Sequence, residues 1–284
     1  MIMSYRQGRK KVPYLSYLLA GLLGLVLICG FFFVNPSQKA VPTNPSSSTL
    51  VSSVSSEESS QQSYEPTAAE KAYLAERFAK LSAINPEVIA YVYAPGTKID
   101  EPVVQTGDNS TYLDKTFEGA YEPYMGAVFM DTTNKQDFSD SLTWLFGHAR
   151  GSLVPDSRMF NDLNFYDSQA YFDSNPYLVI ETAGRNYYYE ATYFIIVPET
   201  TDLYRTSFET TEDFRQQLER VAGEAKVKKA DAKIDPSDKY LVLSTCREED
   251  GSLRANLYLR QIPDNELPQF LAKHADKLAY EPTR

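Results

Sequence analysis

Apolar and polar positions fall into three textures along the chain. The first is an uncharged run from Leu15 to Val34, LSYLLAGLLGLVLICGFFFV. A helix rising about 1.5 Å per residue would carry this run across the roughly 30 Å hydrocarbon core of a bilayer. It is apolar on every side, unlike the one-sided stripe of a surface helix. It also exceeds the apolar part of a cleaved leader, and no small-residue cleavage site follows it. The pattern therefore predicts a transmembrane anchor at 15–34 behind a tail at 1–14. Residues 35–63 form the second texture: 11 of them are serine, with scattered prolines and almost nothing to bury. Such a composition cannot offset its ordering entropy, so 35–63 reads as a flexible tether.

The third texture, 64–284, is patterned throughout. Glu65 to Ser82 sets Ala69, Ala72, Tyr73, Phe78 and Leu81 at helical spacing. Eight β-branched and aromatic runs follow, bounded by Pro, Gly, Asn and Asp, at 88–94, 102–106, 126–131, 141–148, 177–182, 186–198, 239–246 and 255–262. Eight short strands with short connections predict a mainly antiparallel barrel or sandwich. Along 186–198 the alternation puts Tyr187, Tyr189, Ala191, Tyr193 and Ile195 on one face, opposite Tyr188, Glu190, Thr192 and Phe194. Three further segments read as helical. The first, 157–172, is open to division into two; the second, 211–226, has a threonine cap and Asp213 in its first turn; the third, 266–279, closes the chain.

Charge gives this layout a direction. Residues 1–34 carry Arg6, Arg9, Lys10 and Lys11 and no acid, so of the net charge of −10 the rest of the chain holds −14. Basic residues before an apolar run place that end in the cytoplasm and all that follows it outside the cell. The acidic remainder offers no concentrated basic face for nucleic acid. Two cysteines exclude a disulfide scaffold and a multi-cysteine zinc module. No phosphate-cradling glycine loop appears, and neither a cofactor nor a metal site is expected.

Cys29 lies within the apolar run, which leaves Cys246 as the one thiol beyond it. A lone cysteine is ordinarily an inert core filler, yet Cys246 ends the apolar strand LVLST and meets Arg247, Glu248, Glu249 and Asp250 at once. Of two histidines, His274 falls on the polar side of the C-terminal helix, whereas His148 ends the strand LTWLF. A thiol becomes a nucleophile when a neighbouring cation or base favours its thiolate, and His148 is the imidazole placed to serve. An oxyanion needs fixed donors. Arg254 opens the strand after Cys246 and reaches the same sheet edge; Arg247 and Arg260 compete, though Arg260 lies too far along its strand.

LSTC at 243–246 with Arg254 in the next strand and FGH at 146–148 upstream resembles the sortases, membrane-anchored cysteine transpeptidases of Gram-positive bacteria. The likeness runs over most of 64–263, through NPEVIAYVYAPGTKIDEPVVQ, GAVFMD, LFGH, SRMFNDLNFY and YLVLSTC in family order. The leading helix, the S-T-C triplet, the helical stretch after His148 and the helix-bearing insertion at 199–238 resemble class B. That resemblance implies a mainly β fold: an eight-stranded barrel at 64–284 with an N-terminal helix, helical insertions and a C-terminal helix, preceded by the one transmembrane helix. It implies that Cys246 attacks the threonine carbonyl of a sorting signal. His148 would then serve the leaving and incoming amines, and Arg254 would hold backbone and oxyanion, with Ser244 and Thr245 beside the thiol. The partners so implied are a surface-protein or pilin signal peptide and an amine acceptor, served by a monomer.

Two rivals stand beside this reading. Papain-like wall peptidases place the cysteine first, on a helix, and L,D-transpeptidases carry a Ser-His-Gly-Cys run that is absent here. A non-catalytic membrane-anchored binding module would leave Cys246 inert.

Overall fold

The computed structural model describes residues 64–149 and 159–283. The anchor at 15–34 and the tether at 35–63 lie outside the described residues, and among those described no helix is long and apolar enough to cross a membrane. The β-branched and aromatic runs form strands: β1 (Val88–Tyr93), β2 (Asp100–Val104), β3 (Val128–Met130), β4 (Leu142–Phe146), β5 (Tyr177–Glu181), β6 (Asn186–Pro198), β7 (Val227–Lys228), β8 (Tyr240–Cys246) and β9 (Leu253–Gln261). Their order in the sheet is β5-β1-β2-β3-β4-β8-β9-β6, and a further pairing of β6 with β5 closes the ring. The result is the eight-stranded barrel expected from the resemblance, with the two-residue β7 added to the side of β6. Closure leaves no long unpaired edge.

Two pairings are parallel, β2 with β3 and β4 with β8. In the second, Phe146 lies opposite Ser244, so both strands run out of the barrel at the same rim. β9 starts from that rim antiparallel to β8, with Arg254 as the partner of Cys246.

Apolar layers inside and outside hold the barrel. Its interior is filled by residues such as Val103, Leu178, Phe194, Leu243 and Leu257. On one outer face, Trp144, Tyr193, Ile195, Val242 and Tyr258 pack beneath Phe214, Leu218 and Val221 of helix α4 (Thr211–Glu224). That helix begins at the cap Thr210, whose hydroxyl accepts from the Asp213 amide at 3.0 Å. On another face, α1 (Ala68–Ile84) sets Leu74 and Phe78 against Tyr91, Tyr93 and Val179.

Several expectations are corrected. The buried stripe of α1 is Leu74, Phe78 and Leu81, whereas Ala69, Ala72 and Tyr73 face solvent. The face so turned inward also carries Arg77, which meets Glu181 at 2.8 Å and packs over the Tyr91 ring. In β6 the alternation changes phase at a bulge between Ala191 and Tyr193. Tyr189 and Ala191 point inward as expected, but beyond the extra residue Phe194 points inward while Tyr193 and Ile195 face α4. A single added residue exchanges the two faces of a strand. The described part of 157–172 divides into a 3-10 helix at Asn161–Asp167 and the start of α3 (Gln169–Ser174), and a one-turn helix α2 (Thr111–Asp114) was not anticipated. The closing segment ends sooner, as α5 (Leu267–His274) with a 3-10 turn beyond it. His274 packs against the rings of Phe270 and Tyr177, and lies 3.0 Å from the Tyr177 hydroxyl, rather than standing free in solvent.

The phase change is testable by stability. Phe194→Ala should cost about 3–5 kcal/mol in urea denaturation, the loss typical of a buried phenylalanine. A cost under about 1 kcal/mol would mean that the side chain is not in the interior.

Candidate active site

The site follows from the parallel register of β4 and β8. Past Phe146, the Gly147 amide donates to the Ser244 carbonyl at 3.2 Å, which carries the pairing one residue further. A Cβ on Gly147 would stand 2.9 Å from Phe160 Cδ2, so only glycine lets the chain pass there toward His148. The Phe160 amide donates to the His148 carbonyl at 3.1 Å, fixing the backbone beneath the ring. The ring's Nε2 lies 2.7 Å from the carbonyl oxygen of Leu113.

Cys246 closes β8 and is partly exposed. Strand alternation sets it on the same face as Ser244 and, across the pairing, Arg254 and Asn256. Thr245 belongs to the other face; its hydroxyl is buried and has no hydrogen-bond partner among the described residues. All five residues named from the sequence, His148, Cys246, Arg254, Ser244 and Thr245, line one cavity of about 330 Å³. A larger cavity of about 610 Å³, between the 93–99 turn and the C-terminal residues, is lined by neither a thiol nor an imidazole.

The competition among the arginines resolves by position. Arg254 lines the cavity, where its guanidinium donates to Glu199 at 2.7 Å and to the carbonyls of Gly251 at 2.7 Å and Leu253 at 3.2 Å. Arg260 is held at the far end of β9 by Asp238 and Glu266. Arg247 is only 8% exposed and turns to the other side, to the Asn164 carbonyl, Asp167 and Glu249. Asn164 reaches back from the 3-10 helix to the Cys246 carbonyl at 3.4 Å.

The remaining wall comes from residues that sequence reasoning passed over: Asn109, Leu113, Ala127, Phe129 and Tyr204, with Phe146 and Gly147 at the end of β4. Tyr204 belongs to the insertion after β6. It is 45% exposed, stands edge-on to Trp144 and Phe146, and donates a short hydrogen bond to Asp131. Asp131, 1% exposed, also accepts from Asn109 Nδ2 at 2.8 Å and from the Thr133 amide and hydroxyl at 2.8 and 2.7 Å. Burial pushes its carboxyl up, but the donors from Tyr204, Thr133 and Asn109 outweigh it and hold the group below the usual carboxylate range. Burial and the facing Asp131 push the Tyr204 hydroxyl well above its ordinary value. A tyrosine and an asparagine that meet only in space leave no mark in the sequence, and the one available signal was an aromatic residue in a polar insertion.

No protein-family model matches the chain. The sortase B of Listeria monocytogenes is 30% identical over 171 residues, which cover 60% of this chain and 66% of that protein. A solved sortase B in complex with triglycine shares 26% identity at a TM-score of 0.60, covering 67% of this chain and 87% of the other. The Staphylococcus aureus sortase B–substrate complex matches in fold, with 24% identity and a TM-score of 0.60 over 66% of this chain and 86% of that one. In sequence and fold the chain is similar to the class B sortases. It spans just under two thirds of the length of the Listeria sortase B. As in those sortase structures, the eight-stranded barrel is closed and mainly β. Here the rim of this sortase-like barrel carries the thiol at the end of β8 and the imidazole just past the end of its parallel neighbour β4.

The Asp131 network makes a prediction about acid. Because its folded carboxyl lies below the unfolded value of about 3.8, the group contributes stability that is complete above that pH and is lost as pH falls through the lower folded value. Asp131→Asn should therefore flatten the fall in stability below about pH 4, followed by urea midpoints across the acid range. An unchanged slope would show that the network does not carry this stability.

Proposed function

We propose that this chain is a membrane-anchored cysteine transpeptidase that joins secreted surface proteins to an amine outside the cell. The observation that carries the reading is one cavity shared by Cys246, His148 and Arg254 at the common rim of β4, β8 and β9. Cys246 as thiolate attacks the scissile carbonyl of a C-terminal sorting signal. The S–C bond forms as the C–N bond breaks, and protonated His148 gives its proton to the leaving amine. An incoming amine then attacks the thioester, loses its proton to His148 and expels the Cys246 thiolate. Arg254 faces the oxyanion of both tetrahedral states, where its attraction grows as negative charge develops on that oxygen. Ser244 and Thr245 bound the groove next to the sulfur.

The relatives support the choice of partners, since one solved sortase B holds a substrate and another holds triglycine, a peptide with a free amine. The acceptor in this reading is a primary amine, from a wall-precursor peptide or a pilin lysine. The run at 15–34 anchors the enzyme in the plasma membrane with 1–14 in the cytoplasm. The tether at 35–63 then raises the effective concentration of the catalytic domain toward substrates held in the same membrane. The enzyme acts as a monomer.

The test is incubation of the full chain with a library of sorting-signal peptides, trapping the acyl-enzyme by mass spectrometry. A thioester on Cys246 that triglycine or a lysine peptide resolves is the expected result, and the preferred amine separates wall anchoring from pilus assembly. Cys246→Ala and His148→Ala should abolish turnover, and Arg254→Lys should lose about 100-fold in kcat because an ammonium cannot reproduce the guanidinium fork. Persistent function in Cys246→Ala would make the domain a binding module instead.

A further inference from the structure

The one-turn helix α2 ends in carbonyls that no helical turn can satisfy. The structure gives three consecutive ones to three different donors. The Tyr112 carbonyl accepts from the Ala127 amide at 3.0 Å and the Asp114 carbonyl from the Glu122 amide at 2.8 Å. The one between them, on Leu113, faces Nε2 of His148 at 2.7 Å. The strap 120–127 that supplies the two amides is held in a strained form. Tyr124 has left-handed backbone at φ 67°, and its amide donates to the Asp114 carboxylate at 2.9 Å. Left-handed backbone in a non-glycine residue persists only where its surroundings enforce it.

Gly126 stands in the same strap, also left-handed at φ 52°. A Cβ there would lie 2.5 Å from the Tyr112 oxygen, 2.7 Å from the Leu113 oxygen and 3.1 Å from His148 Cδ2. The absence of a side chain is what lets the imidazole edge and the Leu113 carbonyl meet.

We propose that Gly126 and the Leu113 carbonyl are positioning elements for His148: they hold the ring by an Nε2–H donated to Leu113, so that Nδ1 is the nitrogen that exchanges protons in the reaction. A carbonyl oxygen only accepts, so the short contact places a proton on Nε2 in both charge states of the ring. Every gain and loss of charge then takes place at Nδ1. The proton on Nδ1 of the imidazolium passes to the leaving amine as the thioester forms. Nδ1 regains a proton from the incoming amine as the new amide forms and the S–C bond breaks. Fixing the other nitrogen through a backbone carbonyl sets the ring's orientation without a second charged residue, which is the task a carboxylate performs in other nucleophile–imidazole pairs.

This inference rests on the transpeptidase reading for its catalytic consequence, but not for its geometry. The test uses the full chain labelled with 15N-histidine, in which the only other ring is His274 and His274→Gln assigns the spectrum. The expected result is an Nε2 proton on His148 slow enough in exchange to be observed, with Nδ1 of the neutral ring pyridine-like. Gly126→Ala should lose that proton resonance and drop kcat about tenfold or more, with KM for the signal peptide within about twofold and the thermal melt retained. A His148 ring protonated at Nδ1 when neutral, or one whose Nε2 proton exchanges as freely as in free imidazole, overturns the proposal from the parent protein alone, even if Gly126→Ala fails to fold. A folded Gly126→Ala with undiminished kcat overturns it as well. Activity surviving Cys246→Ala would sink the functional reading yet leave the Nε2 resonance in place, so the two failures are distinguishable.

Discussion

The chemistry of this domain depends on a parallel pairing in an otherwise mostly antiparallel barrel. Parallel strands leave a sheet at the same edge, and antiparallel neighbours leave at opposite ones. Because Phe146 of β4 lies opposite Ser244 of β8, the residues two past each position, His148 and Cys246, emerge together although 98 residues of chain separate them. The antiparallel return of β9 then begins at that rim and brings Arg254 to the level of the thiol. A slip of one residue in either pairing would turn Cys246 toward the interior. The inner core under β4, β8 and β9, with Leu145, Leu243 and Leu257 wholly enclosed, makes such a slip costly. The apolar packing that stabilises the barrel thereby also sets the register of the reactive groups.

Much of this was legible before any coordinates. Strands show themselves by period and by composition, and the eight runs found in the sequence match the eight strands of the ring to within a few residues. The thiol and the imidazole were legible through scarcity, since one cysteine and two histidines beyond the apolar run leave few combinations. What the pattern could not show was where the phase breaks. The bulge in β6 carries no Gly or Pro, and Tyr and Ile occur on both faces of that strand, so inward and outward residues look alike. In α1 the apolar residues alone do not mark the inner face, which includes Arg77 and its contact with Glu181, 104 residues away in the chain.

The site shows the same division. Residues that act through a reactive side chain at a strand end could be named. A backbone carbonyl that meets the ring, as that of Leu113 does, or a position where a Cβ would crowd it, as at Gly126, could not, because neither contact depends on the residue's chemical character. Arg254 lines the cavity, and its ion pair with Glu199 was not foreseen. Glu199 lies just past β6, and such half-exposed pairs are worth roughly 0–1 kcal/mol. Glu199 therefore holds the guanidinium at the rim only weakly.

Three independent supports converge on the cavity, and they differ in kind. Strand register fixes the thiol and the arginine. A strap of strained backbone around α2 holds the imidazole edge. The insertion after β6 supplies the Tyr204 wall, anchored to the barrel by the Asp131 hydrogen bonds and by the Trp144 indole donating to the Arg205 carbonyl at 2.7 Å. The first support is inseparable from the core, so damage to it unfolds the protein. The other two are loops braced by hydrogen bonds, each net worth on the order of 1 kcal/mol. Their loss leaves the barrel standing while moving the imidazole or a groove wall, and a reactive site responds steeply to such small displacements. Sequence change that spares the fold is accordingly expected at exposed wall positions such as Leu113 and Tyr204, and not at the buried Tyr112, Phe117 or Leu203 nor along β4, β8 or β9.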